Sequence, residues 1–189
     1  LSPYLHLPGL LTIQPILPYF LKSKLNIVDE KIRYSLCEGF KNYYQNLAEN
    51  YEKFLSCHNA QEQELARVFC KIEYENLYNA LEICLKNKES ISIFFCLDKY
   101  LNIINDNQNN LKLADKVFQC LNKYPSEFIE TELGYQISMA LDRLARCYLQ
   151  TKQYQQAKLA YQQKLDIFPR LSYLDQRTKQ LAIAGIYHN

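Results

Sequence analysis

The stretch "ISMALDRLARCYLQTKQYQQAKLAYQQKLDIFP", residues 137–169, decides the fold of this chain. Its two halves each carry apolar residues three or four positions apart, which is the spacing of one face of an α-helix. The polar residues "TKQ", 151–153, separate the halves, and Pro169 closes the second. Because so short a connection leaves neighbouring helices antiparallel, the stretch predicts a helical hairpin that ends at a proline.

This hairpin has a counterpart earlier in the chain. An alanine, an aromatic residue four positions later and then a proline occur twice, as Ala114, Phe118 and Pro125 and as Ala157, Tyr161 and Pro169. The alanines are 43 residues apart (157 − 114) and the prolines 44 (169 − 125). A small residue lets two helices approach closely, and a ring one turn later fills the space between them. The self-similarity predicts an array of helical hairpins.

The later copy resembles the tetratricopeptide repeat (TPR). The residues that carry the resemblance, and to which it assigns packing within the repeat, are Leu141, Leu144, Ala145, Tyr148, Tyr154, Ala157, Tyr161 and Pro169. The copy departs from the family at Lys164, where a second small residue is usual, so we expect looser packing there. Its step also exceeds the ~34 residues of the standard unit, which implies lengthened helices. The resemblance implies an all-α fold of antiparallel helical hairpins forming a TPR-like right-handed superhelix.

An upstream segment resembles the helical linker of NB-ARC or related STAND-type signalling ATPases. It comprises "FKNYYQNLAENYEKFL" (40–55) and "IEYENLYNALEICL" (72–85), and the match is carried by Glu73, Glu75, Asn76, Leu77, Ala80 and Leu81. In that family the linker joins a winged-helix domain to a C-terminal TPR array, and an ATPase module lies upstream. The resemblance implies that 1–27 are the remnant of a winged-helix-like domain, that 28–88 are a long helical hairpin linker, and that 89–189 are degenerate TPR-like repeats truncated at the C-terminus.

The apolar stretch "GLLTIQPILPYFLKSKL", residues 9–25, invites a membrane or export interpretation. Prolines interrupt it, whereas a spanning helix needs about 20 mostly apolar residues without such breaks. It also lacks the basic region that precedes the apolar core of a signal peptide. In the family that the chain resembles, it would be the last strand and helix of the winged-helix domain. We therefore expect no membrane association, and we expect that this apolar stub can promote self-association.

Local patterns predict the remaining elements. Asp29 is expected to cap a long helix, and "SCHNAQ" (56–61) is expected to be the break after it. The second long helix is expected to bury one apolar side, formed by Leu65, Phe69, Ile72, Leu77, Leu81 and Leu85. "SISIFF" (90–95) is rich in β-branched residues, but the apolar spacing that follows favours a helix. "NDNQNN" (105–110) is predicted to be a polar turn, and "DQRTKQLAIAGIYHN" (175–189) to begin a further helix.

Composition argues against several kinds of chemistry. The chain has four glycines and no glycine-rich phosphate loop, so we expect no nucleotide or other cofactor. His58 beside Cys57 is the strongest metal-like cluster, but adjacent helical residues point apart. No catalytic, cofactor or metal site is predicted, and we expect that the chain is not an enzyme. A net charge of +2 argues against nucleic-acid binding. Seven widely spaced cysteines favour a reducing, cytoplasmic location.

The TPR resemblance also implies a binding surface. The first helices of such repeats form a concave groove for peptides, which Met139, Asp142, Arg146 and Leu149 would face here; alternatively, these residues form an ordinary exposed helix face. The function this implies is that of a non-catalytic protein–protein interaction scaffold, the sensor or regulatory arm of a multidomain signalling ATPase. Two alternatives remain: a fragment of a nucleic-acid-associated transcriptional regulator, and an all-α enzyme with a site assembled from scattered polar residues.

Overall fold

The computed structural model describes residues 2–3, 11–12 and 29–171, and for the first four of these only the backbone. Three predictions concern residues outside this part. They are the helix of the winged-helix remnant, the self-association of the stub at 9–25, and the helix expected from Asp175.

The chain divides into two compact units, Leu1–Phe40 and Lys41–Asn189. In the first unit, strand β1 (Ser2–Pro3) pairs with strand β2 (Leu11–Thr12) in antiparallel fashion, with Ser2 opposite Thr12. Helix α1, Glu30–Leu55, begins in the first unit and ends in the second.

Five more α-helices follow in the second unit, and two short 3-10 helices follow α4 and α6. The α-helices are α2 (Ala60–Asn87), α3 (Ser92–Ile103), α4 (Asn107–Leu121), α5 (Glu132–Gln150) and α6 (Tyr154–Ile167), and the 3-10 helices are Ser126–Glu130 and Phe168–Arg170. Apart from the two-residue strands, all regular structure in the described ranges is helical. The all-α prediction is confirmed.

Side-chain caps explain where several helices begin. The Asn59 side chain accepts hydrogen bonds from the backbone amides of the first turn of α2, and Thr131 accepts one from Leu133 N at the start of α5. At α4, Asp106 Oδ1 accepts from Asn109 N at 3.2 Å. The prediction that 105–110 form a polar turn is therefore wrong for most of the segment, because Asp106 caps a helix that already includes Asn107.

The helical interpretation of "SISIFF" is confirmed, since these residues lead into α3. Ile93, Phe94 and Leu97 on this helix are fully buried. The β-branched residues therefore serve core packing within a helix.

On α2 the expected buried face is partly wrong. Leu77, Leu81 and Leu85 are buried as expected, but Leu65 is 49% exposed. The inward positions near Leu65 are taken by smaller residues, Ala66 and Cys70, which let neighbouring helices approach closely. In this part of α2 the small residues Ala66 and Cys70, and not the larger Leu65, therefore form the buried face.

Helices α1 and α2 contact each other as an antiparallel hairpin. Near the turn between α1 and α2, Gln63 Nε2 donates to Leu55 O at 3.1 Å. Farther from the turn, Tyr44 OH donates to Glu73 Oε2 at 2.8 Å. The contacting positions therefore move apart along the chain, as they do when two helices run in opposite directions.

Alternate helices run in the same direction. Near the start of α3, Ile91 N donates to Gln136 Oε1 of α5 at 2.9 Å, across 45 residues of sequence. Near their ends, Gln150 Nε2 donates to Asn102 Oδ1 at 3.3 Å, across 48 residues. These separations are close to the 43–44-residue repeat of the sequence, so α3 and α5 occupy equivalent places in successive hairpins.

No helix in the part of the chain that the structure describes is long and apolar enough to cross a membrane.

Candidate functional site

A polar pocket of about 300 Å³ lies between α3 and α5, and we call it the α3–α5 pocket. It is lined by Asp98, Lys99, Asn102, Ile103, Arg143, Arg146, Cys147 and Gln150. Residues four apart on a helix share a face, and this places Asp98 with Asn102 on α3 and Arg143 with Cys147 on α5. Because the two helices are parallel neighbours, these two faces meet along the pocket.

Asp98 is the buried centre of this pocket, with 1% of its surface exposed. Its Oδ1 accepts hydrogen bonds from Asn102 Nδ2 and from Asn110 Nδ2, each at 3.1 Å. Its Oδ2 lies 3.4 Å from Arg143 Nε, and neither of these buried atoms makes a hydrogen bond in the described structure. The carboxylate is thus held by two amides on one side and faces a guanidinium on the other.

Burial raises the pKa of Asp98 above its usual range. Arg143, Asn110, Arg146 and Asn102 act in the opposite direction, since a positive charge or a hydrogen-bond donor favours the carboxylate. Burial outweighs them because water no longer solvates the charge.

Glu52 of α1 belongs to the same electrostatic environment. Burial raises the pKa of this carboxyl, while Arg143 and Lys99 act to lower it and Asp98 to raise it. No ion pair of Glu52 occurs within residues 29–171. The basic residues on α3 and α5 that line the pocket therefore have an acidic neighbour on α1.

The four groove residues expected from the TPR resemblance lie on α5 but in different environments. Met139 and Leu149 are half-buried, and Arg146 is exposed and lines the α3–α5 pocket. Asp142 is buried and contacts Arg146 Nη2 at 2.5 Å and Lys164 Nζ of α6 at 2.6 Å. Arg146 is thus the one expected groove residue that the structure places in this pocket; the groove role of the set stays a prediction.

Lys164 lies where looser packing was expected. It is buried, with 7% of its surface exposed, and its ammonium group reaches Asp142. Burial of this kind does not measure how tightly the side chain is packed, so the looser packing stays a prediction.

Most residues that the resemblance assigns to repeat packing lie in or beside the core between α5 and α6. Leu141 and Ala145 form a cluster with Ala160, and Phe118, Tyr161 and Ile167 pack against it. Leu144 and Ala157 are also buried, and Tyr148 OH donates to Asp115 Oδ1 at 2.6 Å. Pro169 is exposed and Tyr154 is 64% exposed, so the packing role of these two stays a prediction.

Sequence reasoning missed Asp98, Asn110 and Arg143. A signal was present, because Asp98 follows "FFCL" and falls on the buried face of an apolar helix. A charged residue at such a position is rare unless it is paired. Its partners could not be located, because they lie 12 residues away on α4 and 45 residues away on α5.

Two other features are weaker candidates for a functional site. A cleft of about 480 Å³ between α2 and α4 is lined by lysines that include Lys86, Lys88 and Lys123, but by no buried polar side chain. Cys57 Sγ donates to Asn59 O at 3.4 Å. Within 29–171 no group of three or more His, Cys, Asp or Glu side chains is arranged to hold a metal ion.

Comparison with known proteins brings no match: no family model, no curated protein and no solved structure matches this chain.

Proposed function

We propose that this chain is a non-catalytic protein–protein interaction arm that binds a segment of a partner protein along α1, α3 and α5. The observation that carries this proposal is the α3–α5 pocket. Between two parallel helices it places the buried carboxylate of Asp98 next to the basic side chains of Arg143 and Lys99. Pockets that combine a few convergent polar groups with a perturbed pKa are the usual places for ligands.

The arrangement of helices supports a repeat scaffold. Helices α3 and α5 contact each other at a step close to the sequence repeat, and α1 and α2 form a hairpin. We propose that such hairpins stack as a TPR-like right-handed superhelix. Arrays of this kind bury each repeat against the next and leave one long surface for a partner.

We further propose that the chain acts in the cytoplasm as the sensor or regulatory arm of a signalling ATPase. Support for this comes from the resemblance of residues 40–55 and 72–85 to the NB-ARC or STAND linker. In this proposal the ATPase module lies upstream in the same polypeptide, and the arm restrains it until a partner binds.

One observation favours a catalytic alternative, because Asp98 and Glu52 are two acids with raised pKa values near one pocket. The position of Asp98 favours binding instead. Its Oδ1 is engaged by two amides, and its Oδ2 is buried beside Arg143. Neither oxygen is placed to take a proton from a substrate, so we infer that Asp98 orients other groups.

The proposal can be tested by panning a random dodecapeptide phage library on the 189-residue chain. Selected peptides are then titrated by fluorescence anisotropy against wild type, Arg146→Ala and Leu149→Ala. Leu159→Ala is the matched control, because Leu159 is 65% exposed on α6 and lies outside the pocket. We expect at least tenfold weaker binding to the two groove variants and unchanged binding to the control. Peptides that bind all four proteins equally would contradict a groove on α5.

A further inference from the structure

We propose that the α3–α5 pocket binds a carboxylate of the partner segment, the side chain of a glutamate or aspartate, against the guanidinium group of Arg143 with Lys99 beside it. This inference rests on the proposed function, because it names the partner chemistry that the same groove selects.

Arg143 is held at Nε and is open at the outer end of its side chain. Its Nε is buried and faces Asp98, whereas its side chain as a whole is 23% exposed. The exposed area therefore belongs to the rest of the side chain, with the terminal amino groups at its outer end. Within 29–171 those groups make no hydrogen bond, and the contact of Arg143 with Asp98 is through Nε. The guanidinium fork matches the two oxygens of a carboxylate, and such paired hydrogen bonds are among the strongest in proteins.

The carboxylate of Asp98, which faces Arg143, is itself held in place. Asp98 is fixed by Asn102 and by Asn110, which is fully buried. A charged group held by a fixed carboxylate keeps one orientation, so less conformational freedom is lost when a ligand binds. Asp98 and the two asparagines are therefore positioning residues, and they need not touch the partner.

The other charged side chains around the pocket determine which ligand charge it can bind. Lys99 lines the pocket and has no ion pair in the described ranges, whereas Arg146 is engaged by Asp142. Arg143 and Lys99 are thus the pocket cations whose outer nitrogen atoms contact no carboxylate within residues 29–171. Glu52 and Asp98 are the neighbouring acids, and they offset most of the positive charge of Arg143 and Lys99. The local charges therefore nearly balance, and the assigned occupant is a singly charged carboxylate, because the guanidinium fork can bind both of its oxygens.

The test uses the 189-residue chain labelled with ¹⁵N and three heptapeptides. They have the sequence Gly-Ser-Leu-Xaa-Leu-Ser-Gly, are acetylated and amidated, and carry glutamate, glutamine or phosphoserine at Xaa. The glutamate peptide then has one carboxylate and the glutamine peptide none. Binding is followed by the Arg143 Nε–Hε resonance, which is assigned by its loss in Arg143→Lys.

We expect the glutamate peptide to shift this resonance and to bind at least tenfold more tightly than the glutamine peptide. Arg143→Ala should abolish this preference, and Lys99→Ala, a milder change should Arg143→Ala not fold, should reduce it at least threefold. Glu52→Gln should strengthen binding of the glutamate peptide, because one repelling charge is removed. Arg67→Ala is the control, since Arg67 pairs with Glu64 on α2 and lies outside the pocket.

Equal affinity for the glutamate and glutamine peptides, tighter binding of the phosphoserine peptide, or no effect of Arg143→Ala and Lys99→Ala would overturn the inference. A different result would contradict the proposed function: panned peptides whose affinity is unchanged by Arg146→Ala and Leu149→Ala. If those substitutions weaken binding of the panned peptides but the glutamate peptide binds no more tightly than the glutamine peptide, the proposed function is retained and the carboxylate site is rejected.

Discussion

At the scale of single residues, each fully buried charge within residues 29–171 is paired with an opposite charge. Asp142 and Lys164 are both buried and 2.6 Å apart, on adjacent helices α5 and α6. Asp98 is buried beside Arg143. Removing two charges from water costs about as much as their attraction returns, whereas removing one partner leaves an uncompensated charge. Such pairs therefore specify which helices pack together, and they add little net stability.

The Asp142–Lys164 pair gives a first prediction. Asp142→Leu should lower the free energy of unfolding by about 3 kcal/mol, because the Lys164 ammonium group stays buried without its partner. Adding Lys164→Met should recover most of that loss, and urea unfolding measures both. As a control, Glu64→Ala breaks the exposed Glu64–Arg67 pair and should cost less than about 1 kcal/mol. A cost below about 1 kcal/mol for Asp142→Leu would show that Lys164 reaches water easily.

Asp98 gives a prediction about pH. Its pKa in the folded chain is raised above the ordinary value of 3.8, so the folded state holds its proton to higher pH than the unfolded state does. Stability from this group is therefore present below pH 3.8 and is lost as pH rises through the folded pKa. Compared with Asp98→Asn, wild type should gain stability when the pH is lowered from 7 toward 4.

Urea unfolding of both proteins across this pH range measures the effect. Arg143, Arg146, Lys99 and Glu52 surround Asp98 in both proteins, so their contributions cancel to first order. If wild type instead lost stability relative to the variant on acidification, attraction to Arg143 would outweigh burial.

At the scale of elements, sequence patterns located the helices well and their ends less well. Asn59 and Asp106 both cap helices, but only the break before α2 was expected from the sequence. "NDNQNN" looked like a turn because asparagine and aspartate favour turns and caps alike. Which of the two forms depends on whether the residues that follow bury an apolar face, as Leu113 and Ala114 of α4 do.

Gly134 on α5 gives a prediction at this scale. A Cβ added there would lie 1.9 Å from the carbonyl oxygen of Ile129, which belongs to the 3-10 helix before α5. Gly134→Ala should therefore lower the free energy of unfolding by about 1–3 kcal/mol, since the backbone must move apart. The matched variant is Gly39→Ala on α1, where nothing in the described structure lies within 4 Å.

Gly39→Ala should raise stability by about 0.5–1 kcal/mol, because alanine loses less backbone freedom in a helix than glycine does. Thermal unfolding of both variants compares the two positions. Stabilisation by Gly134→Ala would mean that α5 and the preceding 3-10 helix can separate at little cost.

At the scale of the whole molecule, side-chain contacts join one hairpin to the next. Gln136 of α5 is one of them, because its Oε1 accepts from Ile91 N at 2.9 Å and from Ser90 Oγ at 3.2 Å. Ile91 is fully buried, so its amide has no water to replace this partner. Gln136→Leu should lower the free energy of unfolding by about 1–3 kcal/mol.

Hydrogen exchange gives the matching local measurement, since the Ile91 amide should exchange faster in Gln136→Leu. Gln136→Glu is the control, because it keeps an acceptor at the same position and should change stability by less than about 1 kcal/mol. Equal effects of the two substitutions would show that the amide finds another acceptor.

The sequence by itself determined the all-α class, the places of the helices within a few residues, and the 43–44-residue repeat. These properties follow from the spacing of apolar residues, which depends only on positions close together in the chain. Only the tertiary structure decided that Asp98, Asn110 and Arg143 come together, that Leu65 is exposed, and that Lys164 is buried against Asp142. These outcomes depend on which helix faces meet, and that is settled by close packing between residues far apart in sequence.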